Sequence, residues 1–198
     1  MLREHWTAVD GRYRRSEVSA FVGTGPTVWA RAAEEVLSWK VKTESGFAVE
    51  SRGRVSPGQR VTVTARPCGV PVVEPVEVTD VVREADRVGF SYRTLPGHPV
   101  DGEEAFILCR HGEDVHLYVR SLTRPASQQP WRLLFPALLV AQRIVRRRYL
   151  RSLPASTPRT SKPPHQNWKA RQRRADVAPV HALKQPPSTR HRIRGLLQ

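Results

Sequence analysis

At 198 residues, 39% hydrophobic and 26% charged, the chain has room for one domain with a real core and some sequence left over. Lys and Arg outnumber Asp and Glu by 33 to 18, and the resulting net charge of +15 favours anionic partners. The longest apolar run, LLFPALLVA at 133–141, falls well short of the roughly 20 residues of a spanning helix, and MLREHWTAVDGRYRRSEV lacks a leader's apolar stretch, so a soluble, cytoplasmic protein is expected.

RYRRSEVSAFVG at 12–23 reads as an opening strand, ended by the glycines of GTGP. Pro26 then takes a first-turn position, and TVWARAAEEVLSW sets Trp29, Ala33, Val36 and Leu37 on one helical stripe. From residue 41 the period changes to two. RVTVTAR alternates Val61, Val63 and Ala65 with polar partners; PVEVTDVV does so with Val76 and Val78, and RVGFSY with Val88, Phe90 and Tyr92. Turn clusters SPGQ, RPCGVP and READ fall between them, which predicts an antiparallel meander with one wet face.

In LPGHPVDGEE, both Pro96-Gly97 and Asp101-Gly102 carry a turn mechanism. A hairpin over 105–120 can be registered from its own pattern: with Gly112 and Glu113 at the turn, Leu108 faces Leu117, Phe106 faces Val119 and Arg110 faces Val115. After TRP the helical period returns. WRLLFPALLVAQRIVRRRYLRSL places Trp131, Phe135, Leu138, Gln142, Val145 and Tyr149 on one seam, with arginines in the last turns, where cations suit the helix dipole. Pro136 lies near the first turn or kinks the helix.

From residue 153 onward there are ten basic residues and one acid, with seven of the 17 prolines and almost no apolar periodicity. Such a segment buries too little surface to offset its ordering entropy, so 153–198 is expected to be a disordered, Pro/Arg-rich basic tail behind a domain at 1–152. The element order predicts an α+β fold in which a curved antiparallel sheet grips a long C-terminal helix and encloses a cavity between the two layers.

The residues that sharpen this expectation are Tyr13, GTG at 23–25, Trp39, the long stretch GFSYRTLPGHPVDGEEAF at 89–106, LTRP at 122–125, and a helix carrying Gln142 and Tyr149. Over roughly residues 10–152 they resemble the domain-of-unknown-function family numbered 1990, found in bacterial and plant proteins. The resemblance implies a helix-grip, START-like fold and a family without an agreed biochemical activity.

Within that frame the candidate ligand-binding residues are Tyr92, Thr94, His98, Glu104, Arg124, Gln142 and Tyr149, with TLPGHP as the rim. Glu103 and Glu104 open a strand and so point to opposite faces, and Glu104 shares the inward parity of Phe106. An inward carboxylate requires a partner, for which Arg93, Arg124 and His98 are candidates, or else it serves a ligand or acid/base chemistry. His98 is held between Gly97 and Pro99. Gln142, an amide on an apolar seam, either ties the helix to the sheet or offers polar atoms to a guest.

Cys109, His111 and His116 project to the outer face of one hairpin, open to water, and the two cysteines, Cys68 and Cys109, fit free thiols, so no metal site is expected. No Ser/His/Asp order stands out, no GxxxxGK[ST] is present, and GTGP lacks the remaining glycine of a dinucleotide loop, so no cofactor is expected. The leading expectation is a protein that binds a small apolar or amphipathic molecule. The alternatives are an enzyme using Glu104 or His98 as acid/base in the same pocket, and an adaptor whose basic tail contacts nucleic acid or anionic membrane nonspecifically.

Overall fold

A computed structural model describes residues 1–3, 6, 11–51 and 53–153. Apart from Leu153, the expected tail lies outside the described residues; Leu153 itself is buried in the main core. The opening strand, β1, spans Arg14–Thr24 and ends at Gly25, whose φ of 87° suits glycine. Helix α1, Pro26–Leu37, starts on its proline as expected, because that position has no intrahelical bond to lose. It buries Val28, Ala32, Val36 and Leu37, whereas Trp29 and Ala33 are only partly buried. The stripe is thus rotated by about one residue at its start, and the partly buried Trp29 ring packs against the edge of the core with the Arg110 guanidinium 5.5 Å from its centre.

The alternation expected from residue 41 begins later. Trp39 adopts a left-handed conformation, φ 61°, and a single helical turn follows, α2, over Lys40–Thr43. One turn is too short to have a periodic signature, which is why it is invisible in the sequence. The reversal at Trp39 sends both Val41 and Lys42 inward. The Trp39 indole meets the Phe90 ring edge-on at 4.8 Å, anchoring the turn to the sheet.

The remaining strands are β2 (Ala48–Val49), β3 (Arg60–Ala65), β4 (Val72–Arg83), β5 (Arg87–Thr94), β6 (Val100–His111) and β7 (Asp114–Pro125). They form one curled antiparallel sheet of seven strands in the order β1-β7-β6-β5-β4-β3-β2. The hairpin register expected from the pattern is the observed one: Phe106 opposes Val119, Leu108 opposes Leu117 and Arg110 opposes Val115 around Gly112 and Glu113. The first strand closes the far edge by pairing with the last, Val18 against Val119.

Two expectations change. Pro96-Gly97 is a turn, with Gly97 at φ 99°, but Asp101-Gly102 lies inside β6. Gly102 is there because a Cβ would sit 1.9 Å from the carbonyl oxygen of Leu122, so this is a close backbone approach between β6 and β7. The second face of the sheet is not uniformly wet either, since Ala105 and Ile107 are buried beneath Leu2 and Met1. Arg120 fastens that cover by donating to the Met1 carbonyl at 2.8 Å.

Helix α3, Trp131–Tyr149, lies against β6 and β7 with Pro136 within it. Its expected seam faces the sheet, but only Tyr149 is fully buried; Trp131, Phe135, Leu138, Gln142 and Val145 remain half-buried. The helix covers the concave face without filling it. Among the described residues, no helix is long and apolar enough to cross a membrane.

Candidate functional site

Incomplete coverage by α3 leaves a cavity of about 110 Å³ between helix and sheet. Strand alternation decides which side chains reach it: Glu74 shares parity with the buried Val76 and Val78 on β4, Tyr92 with Phe90 on β5, and Glu104 with Phe106 on β6. Lys42 of α2 and Phe47 close one side, and Leu138, Gln142, Val145, Arg146 and Tyr149 of α3 form the roof. The 94–101 segment makes the rim, and on its other side lies a second hollow of about 210 Å³ that shares Thr94, His98 and Val100.

Six of the seven expected residues line this cavity: Tyr92, Thr94, His98, Glu104, Gln142 and Tyr149. Arg124 is not brought there. Its guanidinium pairs with Asp101 at 2.6 Å and lies 4.7 Å over the Tyr13 ring. Neither Arg93 nor Arg124 partners Glu104, because Arg93 is spent on Glu77 at 2.9 Å.

The partner of Glu104 is Lys42, with Nζ 3.2 Å from Oε2, and the Tyr92 hydroxyl donates a short hydrogen bond to the same oxygen. The Lys42 side chain is only 4% exposed. Its ammonium lies 4.6 Å from the ring centre of Phe47, 5.1 Å from Tyr149, 5.2 Å from Tyr92 and 5.9 Å from Phe106. Aromatic faces and one carboxylate together replace the water that this cation has lost. Burial first, then the negative charge of Glu104, pushes the Tyr92 and Tyr149 phenols well above their usual range, so both remain neutral donors.

The opposite wall is a second polar pair. His98 is buried, and its Nδ1 accepts a hydrogen bond from the Val100 amide at 3.1 Å, which leaves the proton on Nε2. Burial and the Lys42 charge lower its pKa to about 3, so the ring is neutral. Nε2 faces the Glu74 carboxylate at 3.9 Å, beyond hydrogen-bond length. Burial raises the Glu74 pKa; Lys42 opposes the shift and Glu104 adds to it.

Two expected candidates have local duties as well. Thr94 Oγ1 accepts from the Gly102 amide at 3.0 Å, pinning the rim to β6, and Gln142 Oε1 accepts from Arg146 at 3.1 Å. Lys42, Glu74 and Arg146 were missed by sequence reasoning. The parity of Glu74 with Val76 and Val78 was a signal that could have found it, whereas Lys42 had none.

Away from the cavity, Cys109 stands opposite His116 as the register requires, and His116 is buried edge-on to the Phe21 ring at 5.5 Å. Neither cysteine forms a disulfide, and no cluster of metal-ligand residues occurs among the described residues.

Residues 4–152 match the family described as Domain of unknown function (DUF1990). Among curated proteins, none matches this sequence. The structure is similar to the crystal structure of a hypothetical protein from Helicobacter pylori, at 11% identity and a TM-score of 0.55, covering 80% of this chain and 98% of that one. A major latex-like protein from Panax ginseng is similar at 14% identity and a TM-score of 0.44, covering 70% of this chain and 99% of that one. Likeness at such identity concerns the fold.

Proposed function

The chain belongs to the DUF1990 family, and from its helix-grip fold and its cavity we propose that it binds a small amphipathic molecule between the sheet and α3. The observation that carries this reading is the wall formed by Glu74 and His98. The two groups are drawn out of water yet lie 3.9 Å apart, so a guest carrying a hydroxyl or similar group would accept from His98 Nε2 and donate to Glu74. Leu138, Val145 and Tyr149 offer the apolar part of such a guest its contacts.

The cavity itself is smaller than the roughly 300–1,000 Å³ of typical small-molecule sites. Across the rim lies the hollow of about 210 Å³, and the two spaces taken together reach the lower end of that range. TLPGHP is in this reading the rim shared by the two hollows.

Acid/base chemistry is less well supported. Glu104 is engaged by Lys42 and Tyr92, and His98 presents a donor to the cavity while its acceptor nitrogen is occupied by Val100. The test is native mass spectrometry of the mildly purified full-length protein, denaturing extraction of any cargo, and a thermal-shift screen of hydroxylated amphiphiles. A true ligand at a hundred times its Kd adds about 2.7 kcal/mol of stability. An empty protein whose melting temperature no library member moves sinks the proposal.

A further inference from the structure

Helix α3 is apolar on two sides. One stripe faces the sheet; on the other, Leu133, Val140 and Ile144 are 76%, 62% and 50% exposed. Their spacing of seven and then four residues places them on a single outward face, with exposed Pro136 and Ala137 between them. The other long helix is different: the exposed positions of α1 include Thr27, Ala30 and Glu34. An outward aliphatic stripe is therefore not how this protein ordinarily meets water.

The stripe is framed by cations. Arg132 lies near its N-terminal end, and Arg143, Arg147, Arg148 and Arg151 lie around its C-terminal end, all exposed. From residue 126 to 153 the sequence holds six arginines and no acid. A stripe of aliphatic side chains bordered by arginines on a helix lying along the surface matches a bilayer's interfacial zone, where the apolar residues enter the acyl boundary and the cations meet lipid phosphates and carboxylates.

We propose that the outward face of α3 docks on the surface of an anionic bilayer. Charge decides among the possible occupants. A second copy placed face to face would set one group of arginines against another, and the segment after residue 153, with its ten basic residues and one acid, would be repelled in the same way. A negatively charged lipid surface satisfies both components of the face. The inference stands apart from the ligand reading, since Leu133, Val140 and Ile144 do not line the cavity.

The test is co-sedimentation of the full-length protein with vesicles of about three parts phosphatidylcholine to one part phosphatidylserine, against phosphatidylcholine alone, over a salt series. Binding should require the anionic lipid. In the full-length chain, the triple substitution Leu133→Ser, Val140→Ser, Ile144→Ser should weaken it about tenfold or more with every charge retained. Val140→Ser alone, with an unchanged melting temperature, provides the same comparison should the triple variant fold poorly. Failure of the native protein to bind these vesicles overturns the proposal. So does full binding by the serine variants, which would assign the attraction to electrostatics without insertion. A concentration-dependent dimer abolished by the same substitutions would overturn it in favour of a second copy.

Discussion

Lys42 is the residue on which the interior of the cavity depends, because a lysine so thoroughly enclosed requires both its carboxylate and its ring faces. Removing one member of such a pair leaves the other buried and unbalanced, so Lys42→Met is expected to destabilise the fold by about 3–5 kcal/mol in urea titrations. Combining it with Glu104→Leu should recover much of that loss, and an additive loss in the double variant would contradict the pairing. His98 governs acid sensitivity. Its folded pKa of about 3 lies below the ordinary 6.5, so between these values the unfolded chain binds the extra proton and is favoured. The contribution is complete above pH 6.5 and declines as pH falls towards 3; His98→Asn should flatten that slope in stability measured against pH. Glu74 has the opposite sign: its raised pKa makes the folded state the better proton binder, so stability is lost as pH rises through that value. Glu74→Gln is therefore expected to stabilise the ligand-free protein at neutral pH, with a higher melting temperature as the readout.

Among the elements, β6 was the most legible and also contained the clearest misreading. The alternation of Phe106, Leu108 and Arg110 against Val119, Leu117 and Val115 specifies the pairing register, since a slip of one residue would turn every side chain over. Asp101-Gly102 has the composition of a turn and is strand, because Gly102 answers to the Leu122 backbone of the neighbouring strand, and such an approach leaves no trace in local sequence. The two explanations for glycine separate experimentally. Gly102→Ala should cost about 3 kcal/mol or more in chemical denaturation, since backbone must move. Gly112→Ala, at φ 62° with open space around it, should cost only about 1–2 kcal/mol. Comparable losses at the two positions would remove the distinction. Helix α2 escaped notice because a single turn set by Trp39 has no period.

For the whole molecule, periodicity and turn chemistry were enough to give the order of strand, helix, meander and long helix, and the inward face of β5, β6 and β7. These are repeats along the chain, and the chain displays them directly. Strand parity for Tyr92 and Glu104, and the helical period for Gln142 and Tyr149, put these side chains on the side of their elements where the cavity lies. Tertiary structure alone decided which groups meet. It set β1 beside β7, gave Arg124 to Asp101, and brought Lys42 to Glu104 from a turn that shows no pattern of its own. It also left the outer stripe of α3 uncovered, which cannot be known from a hydrophobic pattern until the positions of all other elements are known. Patterning reports what each segment needs to bury, whereas partners are chosen by the three-dimensional closure of the sheet around its helix, where sequence distance carries no weight.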